Sequence, residues 1–184
     1  MSTAPLKLVF SFTDCALKER LSARLCSAYG RWLGGFRTLE LRSGKKREGF
    51  EIEALGGERT VLASRAIVSR VSFNKYALNL AALEGTALPA LEKAAAAGKV
   101  LFLDELGPMA MKSERFSARA VELLFSASPC LAFYRRGSEV FEDAFSKMSD
   151  TVIIELTEAG WAEAVAAAEA WLDRLAGEME LNKK

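Results

Sequence analysis

The sequence contains no histidine. That removes the side chain most often used as a general base and the commonest neutral metal ligand. Any acid–base or metal chemistry must rest on carboxylates, Lys, Arg, Tyr or Cys. Cysteine is scarce and odd in number: Cys15, Cys26 and Cys130 stand far apart. Such spacing makes neither a disulfide framework nor a zinc site, and it suits a reducing compartment, so a cytoplasmic location is expected. An excess of one charge is also lacking. The formal net charge is +1, which supplies no global field toward nucleic acid or a membrane surface. No apolar run approaches the length of a spanning helix, and the polar start Met-Ser-Thr-Ala-Pro-Leu-Lys does not read as a signal peptide. Nucleic acid and membrane are therefore not expected partners.

What is present is enough apolar material for a core. The chain has 184 residues, 51% hydrophobic and 27% charged, the balance of a folded domain rather than a disordered chain. One domain over residues 1–184 is expected. Leu6–Phe10 is a short apolar run of strand type. After it Leu17, Leu21 and Leu25 repeat at i+4, with Thr13 or Asp14 as N-cap and Gly30 as stop, which predicts a helix. The stretch around Ser43-Gly44-Lys45-Lys46 alternates and reads as a hairpin inserted at about residues 35–62. Glu58–Val68 reads as a further exposed strand and turn. Helices are predicted over Leu88–Gly98, Ser113–Ser128 and Glu139–Met148. Apolar strands are predicted at Val100–Asp104, Pro129–Tyr134 and Asp150–Leu156. The last helix is expected at about residues 158–178, with Trp161 and Trp171 as core contacts. Strands alternating with helices imply an α/β fold, a parallel sheet covered by helices on both faces and carrying an antiparallel hairpin.

The strand Val100–Asp104 ends in two adjacent carboxylates, Asp104 and Glu105. A carboxylate pair at the mouth of a parallel sheet is placed to hold Mg²⁺ and activate water, because ligands of such sheets bind at the carboxyl ends of the strands. The alternative is a strand end whose charges pair with a lysine or with solvent. The first job needs a partner element: a glycine-rich turn, with a lysine, that presents backbone amides to phosphate at a helix N-terminus.

Three further segments bear on that choice: Gly34–Leu55, with its Gly-Phe-x-Thr-x-Glu-x-Arg pattern and later Arg-x-Gly-Phe; Phe73–Asn79, with Lys-Tyr; and Val100–Met109, with Asp-Glu-x-Gly-x-Met. Together and in this order the chain resembles the cancer-related nucleoside-triphosphatase family of small P-loop NTPases, from about Leu8 to Leu156. The resemblance implies a P-loop NTPase-like sheet and hydrolysis of the terminal phosphate of nucleoside triphosphates with Mg²⁺. Carried onto this chain, it implies Lys18 and Arg135 as nucleotide-binding residues, Asp104 as the metal ligand and Glu105 as the catalytic residue of an active protein.

The departure lies at the phosphate loop. Where the family has Gly-x-Pro-Gly-x-Gly-Lys-Thr, this chain has Phe12–Glu19. Lys18 stands in its place, but Phe12, Cys15 and Leu17 replace glycines and Glu19 replaces the metal-binding threonine. Asn74 and Tyr134 also depart from the family's Gly and His. Glycine is used where backbone must take a positive φ or lie against phosphate. Leu17 is expected to fill the space phosphate needs, and Asp14 and Glu19 place negative charge at the helix start. The expectation is a relative with impaired or lost hydrolysis that acts as a binding or regulatory module. It holds a nucleoside triphosphate weakly, with Mg²⁺ only when nucleotide is bound, or it engages a protein partner. An active Mg²⁺-dependent triphosphatase with an unconventional loop and a protein-interaction module without nucleotide remain the alternatives. Lys18 is expected beside Asp104 or Glu105 as a partly exposed pair. Cys15 is expected to be a structural small residue, Arg136 a solvated loop residue, and the basic cluster Arg37, Arg42, Lys45, Lys46 and Arg47 a solubilising hairpin surface.

Overall fold

The computed structural model describes residues 5–181. The first four residues of the polar start, read above as carrying no leader, lie outside the described residues. Nine strands form one sheet: β1 (Lys7–Phe12), β2 (Leu33–Ser43), β3 (Lys46–Ala54), β4 (Arg59–Ser64), β5 (Ser72–Phe73), β6 (Tyr76–Leu78), β7 (Val100–Leu106), β8 (Cys130–Arg135) and β9 (Thr151–Glu155). Their order is β5-β6-β4-β3-β2-β7-β8-β1-β9. From β2 to β9 all pairs are parallel. From β2 through β3, β4 and β6 to β5 all are antiparallel. This is the mixed sheet with helices on both faces that the alternation of elements implies.

Each half follows from its residues. Val100 to Asp104 are all buried, because β7 lies between two parallel neighbours and under helices on both faces. On one face lie α1 (Cys15–Tyr29) and α5 (Trp161–Leu181), packed through Leu17, Leu21, Leu25, Trp171 and Leu172 onto Phe10, Phe102 and Phe133. Phe133 stacks on Phe10 at 5.4 Å and meets Phe102 edge-on at 5.8 Å, contacts worth about 0.5–1.5 kcal/mol each beyond area burial. On the other face lie α2 (Leu88–Ala96), α3 (Glu114–Phe125), α4 (Glu139–Ser146) and a π-helical segment, Ala82–Ala87. Their core contacts include Leu83, Leu91, Phe116 and Phe141.

The expected hairpin is present as β2 and β3, and because β2 pairs with β7 on one side and β3 on the other its antiparallel strands extend the same sheet. Other expectations are corrected. The strand expected to be exposed after residue 58 buries Leu62 and Ala63, because β3 and β6 flank it. The last helix begins at Trp161 and runs to Leu181. Trp171 is a core contact whose Nε1 donates to Pro5 O at 2.8 Å. Trp161 is only half-buried and is covered by the Arg20 guanidinium, 3.4 Å from the ring centroid. Gly35 is a glycine for two reasons. Its φ is +129°, and an added Cβ would lie 2.2 Å from Phe102 O. Among the described residues no helix is long and apolar enough to cross a membrane.

Candidate functional site

The carboxyl end of β7 meets the start of α1. Helix α1 follows β1 after two residues, Thr13 and Asp14. Its residues 18 and 22 are one turn apart and share a buried face. Both point at Asp104. Lys18 Nζ donates to Asp104 Oδ1 at 2.7 Å, and Ser22 Oγ donates to Oδ2 at 2.6 Å. Lys18 also donates to Thr38 O at 3.0 Å and lies 3.5 Å from Glu105 Oε2. Thr38 Oγ1 in turn accepts from Glu105 N at 3.2 Å. Arg37, opposite Asp104 in the β2–β7 register, donates from Nε to Ser22 Oγ at 3.0 Å and pairs with Glu53 at 3.4 Å.

Lys18 and Asp104 are 1% and 0% exposed, so the expected partly exposed pair is in fact buried. Burial alone pulls the Lys18 ammonium toward neutrality, but the Asp104 and Glu105 carboxylates outweigh it, and its pKa stands above the ordinary lysine value. Glu105 is pushed the other way from a usual carboxylate. Burial raises its pKa, Lys18 opposes the rise, and the neighbouring Asp104 charge adds to it.

The turn that should cradle phosphate is an ordinary helix start. Asp14 is the N-cap, with φ −90° and ψ 111°, and its Oδ1 accepts from Ala16 N at 2.8 Å. No residue from 12 to 19 has a positive φ, so the alternating geometry of an anion nest is missing. The expectation that Leu17 fills a phosphate's space is corrected. The side chain turns into the core beside Phe12 and Leu21, because the helix places residues 17, 21 and 25 on one apolar stripe.

The residues do not fit Mg²⁺ in this arrangement. The cation binds through one or two carboxylates and keeps several of its waters. The Asp104 carboxylate is wholly buried with both oxygens engaged, and Glu19 stands where the family supplies a hydroxyl. Glu19's own carboxyl is pushed up by burial, with Lys18 opposing.

Outside the buried pair opens a cleft of about 240 Å³ whose walls include Cys15, Arg47, Phe50, Tyr76, Glu105 and Arg135. Arg135 reaches both sides of it. Nη2 donates to Cys15 Sγ at 2.5 Å, and Nε lies 3.9 Å from Glu105 Oε1. Burial raises the Cys15 thiol pKa against the pull of Arg135. Lys18, Asp104, Glu105 and Arg135 are thus brought together from three elements, α1, β7 and β8. Arg136 is not, and pairs with Glu155 on the surface. The basic hairpin cluster divides. Arg42 and Arg47 both pair with Glu40, and of these two Arg47 also lines the cleft.

Sequence reasoning missed Ser22, although its place four residues after Lys18 on the same helix face is a usable signal. Thr38 also went unassigned, and Arg37, expected as part of the basic hairpin surface, instead joins this network through Ser22. Thr38 sits in the Gly-Phe-x-Thr pattern, but its role depends on a register that no pattern states.

The chain matches the family described as NTPase over residues 17–167. It is 34% identical over 125 residues to nucleoside-triphosphatase THEP1 of Thermotoga maritima, an alignment covering 68% of this chain and 72% of that protein. Among solved structures, THEP1 from Aquifex aeolicus superposes with a TM-score of 0.80 at 22% identity, over 90% of this chain and 98% of that one. The solution structure of a human cancer-related nucleoside triphosphatase gives a TM-score of 0.69 at 22% identity, over 90% and 97%. At such identity the two structures bear on the fold alone.

Proposed function

Since the chain belongs to this NTPase family, which its sequence matches over residues 17–167, we propose that it is a cytoplasmic nucleoside-triphosphatase relative that binds without efficient turnover. The observation that carries the reading is the state of Asp104: wholly buried, with one oxygen held by Lys18 and the other by Ser22. Phosphoryl transfer depends on positioning and on charge stabilisation. Here the lysine that would meet phosphate is spent on a protein carboxylate, and a two-residue helix start replaces the amide cradle. What remains for a ligand is the neighbouring cleft. Arg135 supplies a cation to an anionic group there, Phe50 and Tyr76 supply apolar faces, and a nucleoside triphosphate is held weakly, without the loop.

The second reading is an active Mg²⁺-dependent triphosphatase. It is favoured by Glu105, which stands at the cleft beside Arg135, and by the likeness to THEP1 of Thermotoga maritima. Phosphate release from Mg²⁺-ATP and Mg²⁺-GTP, measured for wild type and Glu105→Gln side by side, separates the two. Both proteins are expected at the blank rate. Turnover by wild type that the Gln variant loses would overturn the proposal. A thermal-shift titration with the same nucleotides reads binding independently. Saturation at a hundredfold the dissociation constant stabilises a fold by about 2.7 kcal/mol.

A further inference from the structure

The parallel strands have a second end, and it too is open. At the amino ends of β2 and β7, on the opposite edge of the sheet from Asp104, lies a cleft of about 440 Å³. That size is within the range of small-molecule pockets. One wall is the start of β2 at Gly34 and Gly35, a second is the turn Leu55–Glu58, and a third is α2 with the π-helical segment before it. We propose that this cleft binds a small organic anion with a flat apolar body, of the aromatic carboxylate class.

Three observations carry this. The first is charge. Lys93 and Lys99 both line the cleft. The Lys93 ammonium has no hydrogen-bond or ion-pair partner among the described residues, and that of Lys99 reaches only the Leu33 carbonyl, at 3.4 Å. Their neighbour Glu92 is engaged elsewhere, by Arg119. Glu58 is the one carboxylate of the lining, so the walls carry a net positive charge.

The second is shape. The remaining surface is glycine, alanine, Leu55 and Pro89 apart from Thr86, and the Thr86 hydroxyl is taken by Thr60 at 2.8 Å. Walls of this kind let a flat body lie close to backbone and offer an anion no other cationic anchor than the two lysines.

The third is Gly85. Gly34 and Gly35 are required by packing, since an added Cβ would lie 2.5 Å from Ala94 Cβ or 2.2 Å from Phe102 O. Gly85 is not: its φ is ordinary, and an added Cβ meets nothing within 4 Å. It sits inside a π-helical segment, a form that recurs at functional sites, where glycine weakens a helix. What its missing side chain does provide is open space in the wall of the cleft.

The test is a ¹H–¹⁵N titration of the full chain with benzoate and indole-3-carboxylate, with benzamide and indole-3-carboxamide as uncharged controls. Saturable shifts are expected at the amides of Gly34, Gly35, Gly57 and Gly85, with at least one carboxylate binding more tightly than about 1 mM. The carboxamides should bind at least tenfold more weakly. Lys93→Gln combined with Lys99→Gln, the first exposed and the second half-buried, should weaken the carboxylates about tenfold in a chain whose unshifted amides report an intact fold, and Gly85→Leu should abolish the shifts. Equal binding of the carboxamides, shifts confined to the Glu105–Arg135 cleft, absence of saturation, or unchanged binding by the double lysine variant would each overturn the proposal. Because this site lies across the sheet from Lys18 and Asp104, the result is independent of nucleotide hydrolysis.

Discussion

Lys18 and Asp104 form the tightest commitment in the molecule, and their energetics follow from burial. Removing one member of a buried ion pair strands the other charge in the interior, at about 3–5 kcal/mol. Replacing both by apolar groups of similar volume is often neutral. Lys18→Met should therefore lower unfolding free energy by about 3–5 kcal/mol in urea titrations, and Lys18→Met with Asp104→Leu should recover most of it. A single-variant loss under about 1 kcal/mol would mean the pair is screened like a surface one. Lys18's raised pKa means that its contribution is complete at neutral pH and is lost only as pH climbs above the ordinary lysine value of 10.5. Glu105 is shifted in the same direction, with the neutral acid as the favoured form. Its folded pKa stands above the usual 4.5, so the stability it contributes is fully present below that value and is lost as pH rises through the folded one. Glu105→Gln cannot ionise. Its stability relative to wild type should therefore rise between pH 4.5 and pH 7 in paired urea titrations, and a constant difference would refute the assignment.

Among the elements, α1 opens on a side-chain cap. Asp14 fills the N-cap and takes the Ala16 amide, an amide that a nest would have offered to a ligand. Loss of such a cap typically costs about 1 kcal/mol. Asp14→Ala should lower the melting temperature accordingly while leaving the Lys18–Asp104 contact and the phosphate-release rate unchanged, as read by melting curves and the phosphate assay. The helix was legible because Leu17, Leu21 and Leu25 recur at its period and Asp14 precedes it. Gly30 does close it, yet in right-handed geometry, with φ −52°, so its freedom to go left-handed is unused. The strand β7 was legible from its unbroken apolar run. The two-residue β5, the three-residue β6 and the π-helical segment were not. The first two are too short to show a period, though Asn74 between them takes the positive φ, 52°, of their turn. The third differs from an α-helix only in how its carbonyls pair, which packing against β3 and β4 decides.

At the scale of the whole molecule the parallel and antiparallel halves share one sheet, with β7 and β8 inside and β5 and β9 at its edges. Opening free energies follow burial and pairing. Amides of Phe102, Leu103 and Leu131 should exchange slowest in native-state hydrogen exchange, and those of β5 fastest. Protection of β5 equal to that of β7 would show the antiparallel half to be as cooperative as the core. Local patterning by itself determined most of the longer elements, the α/β class, and the presence of two carboxylates at one strand end, because periodicity and turn residues are written in neighbouring positions. Only the tertiary structure decided that Asp104 is buried against Lys18, 86 residues away in the chain, with Ser22 on its other oxygen, and that a second cleft opens where β2 and β7 begin. Ion pairing and cavity walls depend on strand order and register, which bring distant residues together, and no local pattern encodes them.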